Sequence, residues 1–175
     1  CLAQGMAGIG ELAFYDRKMD EKTYECMSVV MKLAGEKEAP VLLHINEPVG
    51  HDYPGKSSFS FEEAYRLISA FPENKIILAH WGGGLFFFNL LKKEFKERFQ
   101  NVFVDTAASP YLYDPGIYPI AIDIIGPQKI LFGSDYPLIP PRRYFDEMKT
   151  ARVSKKNLKM IQGTNAEKLL RHPSG

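Results

Sequence analysis

The sequence predicts an α/β fold built on a parallel β-sheet, and three features of the chain carry this prediction. Short apolar runs alternate with segments of helical length along the 175 residues. The runs are nearly continuous in Val, Ile, Leu and Phe, which is typical of strands covered on both faces in a parallel sheet. Polar residues follow most of these runs at regular intervals. Because 45% of the residues are hydrophobic, the chain can form one sizeable core, and we expect a single domain over residues 1–175.

Five apolar runs are predicted to be strands, and the segments between and after them to be helices. The predicted strands are Ala7–Phe14, Ala39–Ile45, Lys75–His80, Asn101–Thr106 and Lys129–Asp135. The predicted helices are Glu21–Lys37, Ser60–Ala70, Leu85–Phe99, Ile117–Ile125, Arg143–Arg152 and Lys155–Arg171. The second helix begins with a capping box formed by Ser60 and Glu63. The alternation predicts five successive βα units.

Polar residues at or near the strand ends recur at an interval that indicates a barrel. Glu11, His44, His80, Asp105 and Asp135 follow one another at intervals of 33, 36, 25 and 30 residues. A (β/α)8 barrel of about 250 residues uses roughly 31 residues per unit. An open doubly wound sheet usually begins with a glycine-rich phosphate turn, and neither GxGxxG nor GxxxxGK[ST] occurs here. We therefore predict a parallel (β/α)8 TIM-barrel type of fold, with about five βα units present.

His44, His80 and Asp135 are the first candidate site residues, because the carboxyl ends of barrel strands converge on one face. Two histidines and a carboxylate offer the nitrogen and oxygen ligands that suit Zn²⁺ and similar ions. We therefore expect this trio to form a metal site. Glu11 is open between ligating a metal, bridging two metals and pairing with a lysine. Asp105 is expected only to cap the turn that follows its strand.

The segment KIILAHWGGG places His80 directly before Trp81 and three glycines. The glycines could bind a phosphate at the start of a following helix, or they could give the backbone room at the mouth, which we favour. We expect Trp81, beside this mouth, to contact a substrate. The loop Asn46–Lys56 is rich in Pro and Gly. It could place His51 and Lys56 against an anionic substrate, or it could be an ordinary turn with solvated charges.

Composition argues against several kinds of partner. The 22 Lys+Arg and 21 Asp+Glu residues nearly cancel, and no long basic stripe occurs, so we expect no nucleic-acid or membrane partner. No apolar run approaches the roughly 20 residues that span a bilayer, and no signal-peptide pattern opens the chain. The two cysteines form no CxxC motif. A reducing cytoplasm is the setting that we expect.

Six motifs together resemble the carboxyl-terminal part of an amidohydrolase-superfamily protein. They are GIGEL, PVLLHINEPVGHDYPGK, ILAHWGGG, VDTAASPYLY, ILFGSDYP and MIQGTNAEKLL. The resemblance is to the amidohydrolase-related group, which also contains metal-dependent decarboxylases. It covers nearly the whole chain and keeps the order of the motifs. It implies a divalent metal, with Zn²⁺ as the expected ion, and a small-molecule substrate whose C–N, C–O or lactone bond is cleaved by metal-activated water. Non-oxidative decarboxylation at the same site is the alternative.

The resemblance also implies a role for each candidate residue. His44 corresponds to the ligand on the fifth strand of the family barrel, and Glu11 to a fourth-strand position that bridges two metals in some relatives. His80 would be a second ligand in two-metal members, or a group that polarises the substrate and transfers protons in one-metal members. Asp135, after the eighth strand, would bind the metal and accept the proton of the attacking water.

One departure from the family pattern concerns the remaining ligands. The first strand of the family ends in a His-x-His pair that supplies two ligands, and this sequence contains no such pair. If its first strand corresponds to the fourth of the family, about three βα units, roughly 90 residues, lie outside it. A partial barrel exposes two strand edges, so we expect the isolated chain to aggregate or to form a homo-oligomer. A non-catalytic fragment without its metal is therefore a third hypothesis.

Overall fold

The structure, a computed structural model, describes residues 2–15, 19–91 and 93–170. It contains a five-stranded sheet in the sequential order β1-β2-β3-β4-β5, and all four neighbouring pairs are parallel. The strands are β1 Ile9–Leu12, β2 Val41–Leu43, β3 Ile76–Leu78, β4 Val102–Asp105 and β5 Ile130–Leu131. Each lies inside a run predicted to be a strand. The predicted parallel α/β fold is confirmed, and β1 and β5 are the outer strands of the sheet.

Eight α-helices accompany the strands within the described residues. They are α1 Glu21–Glu36, α2 Phe61–Ala70, α3 Lys93–Arg98, α4 Ser109–Leu112, α5 Ile117–Ile125, α6 Pro141–Thr150, α7 Lys155–Lys159 and α8 Asn165–Leu170. The structure also has 3₁₀ helices at Leu2–Gln4, His80–Leu90 and Pro127–Lys129. Within the described part of the chain, every helix is too short or too polar to span a bilayer.

The start of α2 has the predicted capping box. The Glu63 backbone N–H donates to Ser60 Oγ at 3.2 Å, and the Ser60 backbone N–H donates to Glu63 Oε2 at 2.7 Å. The box satisfies two backbone donors that have no partner inside the helix. The other Glu63 oxygen, Oε1, accepts from the Met19 backbone N–H at 2.7 Å, so this carboxylate also ties the loop before α1 to α2.

The helix predicted over Leu85–Phe99 is wrong in its first part. Residues 81–84 have left-handed backbone angles, the chain continues as 3₁₀ helix to Leu90, and the α-helix begins only at Lys93. Lys92 lies outside the described residues. The run LFFFNL is apolar except for Asn89, so it lacks the contrast between an apolar and a polar face that marks an amphipathic α-helix.

The last predicted helix, Lys155–Arg171, is interrupted by one π-helical turn at Met160–Thr164. Arg171 lies outside the described residues. Directly after the π turn, buried Asn165 donates through Nδ2 to the carbonyl oxygens of Pro127 and Ile130, both at 2.8 Å. The widened turn thus accompanies a side chain that fixes the last helix to the beginning of β5.

The apolar residues of the three central strands, β2, β3 and β4, alternate between a fully buried and a half-buried face. The fully buried face contributes to the one hydrophobic core that also contains residues of α1, α2 and α5; its members include Val41, Leu43, Ile76, Leu78, Val102 and Val104. Leu42, Ile77 and Phe103 lie on the opposite face and are half-buried. Within the described residues, the cover on both faces that the apolar runs predict is therefore incomplete, since this second face stays partly exposed. A sequential strand order with crossovers of one hand places the helices on one face of the sheet.

Candidate metal centre

Three neighbouring strands bring Glu11, His44 and His80 together. Glu11 lies in β1, His44 directly follows β2, and His80 follows β3 after one residue. Glu11 Oε1 is 2.6 Å from His44 Nδ1, His44 Nδ1 is 3.3 Å from His80 Nε2, and His80 Nε2 is 3.9 Å from Glu11 Oε1. His44 and His80 are 8% and 4% exposed. The three side chains form the compact group of potential metal ligands found within the described residues.

Backbone carbonyls fix the proton on each imidazole. His44 Nε2 lies 2.9 Å from the carbonyl oxygen of Gly55, and His80 Nδ1 lies 3.1 Å from that of Ala107. A carbonyl oxygen only accepts hydrogen bonds, so both of these ring nitrogens carry hydrogen. In the neutral rings, the proton-free nitrogens are therefore His44 Nδ1 and His80 Nε2, the two that face each other and Glu11.

This donor set fits a divalent cation. Two imidazole lone pairs and one carboxylate oxygen converge on the same small volume, and nothing among them supplies a hydrogen when the rings are neutral. For ligand distances of about 2.0–2.1 Å, tetrahedral geometry separates two ligand atoms by roughly 3.3 Å. The observed separations of 2.6, 3.3 and 3.9 Å scatter around that value. Backbone carbonyls that hold the other ring nitrogen are the usual outer partners of metal-binding histidines.

The electrostatics of these side chains favour a proton shared between Glu11 and His44. The hydrogen bond from His44 lowers the pKa of the Glu11 carboxyl below its ordinary value, although burial opposes this. Burial alone would lower the pKa of His44, but the hydrogen bond and charge of Glu11 outweigh it and raise the pKa overall. A proton or a cation between these groups therefore stabilises the cluster.

A left-handed turn directs His80 into the site. His80 and Trp81 have φ of 55° and 59°, and Gly82, Gly83 and Gly84 continue the left-handed conformation at 61°, 59° and 95°. Such a run is rare outside glycine. A Cβ on Gly83 would lie 2.2 Å from the carbonyl oxygen of Asn46, so this position requires glycine for close packing against the loop after β2. The structure thus agrees with glycines that give the backbone room.

Asp135 lines the same cleft but lies outside the compact cluster. The cleft has a volume of about 700 Å³, and Glu11, His44, His80 and Asp135 all border it. Asp135 is exposed, with a left-handed φ of 53°. Because neighbouring strands are about 4.8 Å apart, a residue after β5 begins roughly 10 Å from one after β3. Sequence reasoning expected the trio of two histidines and Asp135, whereas the structure brings Glu11 next to the histidines.

The three predicted substrate-binding residues have different positions. His51 is exposed and lines the cleft. The Lys56 ammonium group donates to the carbonyl oxygens of Val49 and His51 at 3.4 and 3.2 Å, and it lies 3.8 Å from Glu47 Oε1. Lys56 therefore holds its own loop in this structure.

Trp81 is fully buried, and its indole Nε1 donates to Ser109 Oγ at 2.9 Å. Its ring contacts Tyr118 edge to face, with centroids 5.2 Å apart. The structure thus places this side chain in the core behind the left-handed turn, outside the lining of the cleft.

Sequence reasoning missed the aromatic wall of the cleft and the backbone groups behind it. Tyr15 and Tyr53 line the cleft from loops that follow β1 and β2, and Tyr111 lines it from α4, the short helix after β4. Tyr53 accepts from Asn46 Nδ2 at 2.9 Å and donates to Glu47 at 3.2 Å, and burial together with Glu47 raises the pKa of its hydroxyl. The signal available was the position of each tyrosine in the segment that follows a predicted strand.

The sequence matches the model of one protein family, described as amidohydrolase, over residues 8–172. The chain belongs to the amidohydrolase family. This confirms the resemblance drawn from the six motifs. A comparison with curated proteins gives no significant match.

Solved structures with the same fold include decarboxylases and a proposed hydrolase. A 5-carboxyvanillate decarboxylase from Sphingomonas paucimobilis has 18% identity and a TM-score of 0.67, over 94% of this chain and 57% of the other. A dihydroxybenzoic acid decarboxylase from Polaromonas sp. JS666, with bound manganese and the inhibitor 2-nitroresorcinol, has 22% identity and a TM-score of 0.64, over 90% and 55%. A proposed 2-pyrone-4,6-dicarboxylic acid hydrolase from Pseudomonas putida has 15% identity and a TM-score of 0.69, over 97% and 64%.

These likenesses establish the fold of this amidohydrolase-family chain. At 15 to 22% identity they show the architecture alone. The chain spans 55 to 64% of the length of these three structures, which agrees with about five units of a larger barrel. The predicted incomplete TIM-barrel architecture is thereby confirmed.

Proposed function

We propose that this chain supplies the metal-binding half of a hydrolase active site, in which activated water cleaves a C–N, C–O or lactone bond of a small molecule. The observation that carries the proposal is the convergence of Glu11 Oε1, His44 Nδ1 and His80 Nε2 at the carboxyl ends of three parallel strands. Two carbonyl oxygens hold the opposite ring nitrogens, so the proton-free atoms face one point. That point borders a cleft large enough for a small molecule.

Glu11, His44 and His80 would hold the ion. A bound divalent metal supplies Lewis acidity, which lowers the pKa of water from about 15.7 towards about 7. Asp135, exposed on the same cleft and outside the compact cluster, is the group that we assign to accept the proton of the attacking water. The aromatic side chains of Tyr15 and Tyr111 provide apolar surface for the substrate on the cleft wall.

Zn²⁺ is the ion that we propose, since two imidazole nitrogens and one carboxylate oxygen are a common zinc ligand set with an open fourth position. Mn²⁺ is the competing candidate, because the decarboxylase from Polaromonas sp. JS666 binds manganese.

We place the reaction in the cytoplasm. His51, on the cleft wall, is proposed to contact the substrate. For Lys56, contact with the substrate is the testable alternative to holding its loop. Trp81 is assigned to support His80.

Non-oxidative decarboxylation is the second candidate function. Two of the structural neighbours act on aromatic carboxylic acids by name, a 5-carboxyvanillate and a dihydroxybenzoic acid. In this alternative Glu11 and His44 would hold a single ion, and His80, whose Nε2 lies 3.3 Å from His44 Nδ1, would deliver a proton to the carbon that loses carbon dioxide.

The test uses the full-length protein loaded with Zn²⁺ or Mn²⁺. Metal content and affinity are measured for the wild type, for His44→Asn and for His51→Asn, a matched change in a histidine of the same cleft outside the cluster. We expect His44→Asn to lose metal and His51→Asn to retain it. Turnover is then followed on ester, amide and lactone panels and as carbon dioxide released from aromatic acids.

Cleavage of ester, amide or lactone bonds supports the hydrolase, whereas carbon dioxide release alone supports the decarboxylase. Equal metal affinity of His44→Asn and the wild type would overturn the site. Absence of metal binding and turnover in the full-length wild type would favour the non-catalytic module.

A further inference from the structure

Asp105 is a buried carboxylate that the proposed chemistry does not use. It ends β4 and is 8% exposed. Gly133 covers it closely, since a Cβ on that glycine would lie 3.2 Å from Asp105 Cγ. Among the described residues, no lysine or arginine forms an ion pair with it. A buried carboxyl group is costly unless hydrogen bonds satisfy its oxygens, so the hydrogen-bond partners of Asp105 decide what it can do.

One oxygen of Asp105 receives two backbone hydrogen bonds. Oδ1 accepts from the His80 N–H at 2.9 Å and from the Ala107 N–H at 2.9 Å. The first bond fixes the backbone of His80 at the residue where the chain becomes left-handed, with φ of 55°. A non-glycine residue in this conformation needs such support from its surroundings.

The second bond reaches the imidazole of His80 through the turn after β4. The carbonyl oxygen of Ala107 accepts from His80 Nδ1 at 3.1 Å, so Asp105 holds both the backbone of His80 and the residue that receives its ring proton. The turn is also fixed from the other side, because the Ala108 N–H donates to the Tyr144 hydroxyl at 3.0 Å.

We infer that Asp105 is a positioning residue for the metal site, which sets the ring orientation and the Nδ1–H tautomer of His80 by accepting the backbone N–H groups of His80 and Ala107. Its role goes beyond the turn cap expected from the sequence. The effect on the metal rests on the proposed function, whereas the effect on the tautomer does not.

The experiment compares Asp105→Ala, Asp105→Asn and, as a matched control, Asp123→Ala, which alters an exposed aspartate of α5. The asparagine amide oxygen can accept both hydrogen bonds, whereas alanine accepts none. We expect Zn²⁺ affinity to fall by about 10–100-fold in Asp105→Ala and to stay within about threefold of the wild type in the other two variants. Folding is checked by circular dichroism.

The tautomer is read from the imidazole ¹⁵N shifts of His80 in the metal-free protein. We expect the Nδ1–H form in the wild type and in Asp105→Asn, and a mixture of tautomers in Asp105→Ala. Equal affinity and an unchanged tautomer in Asp105→Ala would overturn the inference. Equal losses in Asp105→Asn and Asp105→Ala would overturn it too, because the charge and not the acceptor would then matter.

Two further outcomes are also decisive. If Asp105→Ala does not fold, hydrogen exchange of the backbone amides in the wild type and in Asp105→Asn decides. Slow exchange of the His80 and Ala107 amides supports their hydrogen bonds to residue 105, and fast exchange of either overturns the inference. If the wild type binds no Zn²⁺, the proposed function fails, while the ¹⁵N comparison still tests Asp105.

Discussion

His80 Nε2 and His44 Nδ1 face each other at 3.3 Å. When the rings are neutral, each donates its single N–H, from the other ring nitrogen, to a backbone carbonyl oxygen. Two lone pairs and the Glu11 carboxylate thus meet without a hydrogen between them unless His44 is protonated. When no metal is bound, a proton on His44 removes the repulsion between these lone pairs and the carboxylate. A divalent ion would replace the proton, so metal binding and protonation compete for the same atoms.

We therefore predict that Zn²⁺ affinity falls as the pH falls. Glu11 raises the pKa of His44 above its ordinary value of 6.5, and below that raised pKa the ion must displace the proton. The loss should approach tenfold per pH unit for one displaced proton. Calorimetric titrations between pH 5.5 and 8, in two buffers of different ionisation enthalpy, measure both affinity and proton release. An affinity that does not change over this range would contradict the shared position of proton and metal.

A second prediction concerns two adjacent glycines with the same backbone angle. Gly82 and Gly83 have φ of 61° and 59°, so alanine at either position costs about 1–2 kcal/mol for the left-handed backbone. At Gly83 the new Cβ would also lie 2.2 Å from the Asn46 carbonyl oxygen, whereas at Gly82 its nearest neighbour is at 3.3 Å. We expect Gly83→Ala to lower the free energy of unfolding by at least about 2 kcal/mol more than Gly82→Ala. Urea denaturation of both variants measures the difference, and equal losses would contradict the close packing.

The sequence predicted the sheet well because its signal is local. Apolar runs and their interval determine five parallel strands, and each observed strand lies within its predicted run. The strands are shorter than predicted, and after β3 the reason is local, because His80 begins a left-handed turn two residues after Leu78. A histidine or an aspartate carries no strong signal for this conformation, so the boundary could not be predicted.

The composition of the candidate site was predicted less completely, because it depends on which strands are neighbours. The four residues Glu11, His44, His80 and Asp135 were all selected, and all line one cleft. The sequential strand order places Glu11 next to His44, two strands closer to it than Asp135. The carbonyl groups of Gly55 and Ala107 that hold the histidines have no sequence signal, since every residue has a carbonyl group.

A third prediction separates two roles for Lys56. Its ammonium group bonds to the carbonyl oxygens of Val49 and His51 in the loop that also presents the Gly55 carbonyl to His44. If Lys56 holds this loop, Lys56→Met should weaken Zn²⁺ binding by up to about tenfold. If Lys56 instead binds an anionic substrate, KM should rise while the Zn²⁺ affinity stays unchanged.

The control for this prediction is Lys32→Met, the same change at an exposed position of α1. It should alter neither quantity. Because the side chain of Lys56 is 15% exposed, we expect the first outcome. Unchanged metal affinity and unchanged KM in Lys56→Met would contradict both roles.

The last prediction concerns Asp135 as the acceptor of the proton from water. Asn is nearly isosteric with Asp and adopts the left-handed backbone readily, so Asp135→Asn should fold as the wild type does, with φ near 53°. Loss of a general base typically lowers turnover by about 10²–10⁴-fold. Because Asp135 lies outside the compact cluster of Glu11, His44 and His80, most of the metal affinity should remain.

Turnover, metal content and unfolding are therefore measured on the same preparation of Asp135→Asn, with Asp123→Asn in α5 as the matched control at an exposed position. A hundredfold or greater loss of turnover with metal retained supports the proton acceptor. Loss of both turnover and metal would mean that Asp135 is chiefly a ligand, which binds the ion together with Glu11, His44 and His80. Near-normal turnover with full metal would leave Asp135 only as the residue that begins the turn before Leu138, whose backbone N–H donates to the Asp135 carbonyl oxygen at 2.8 Å.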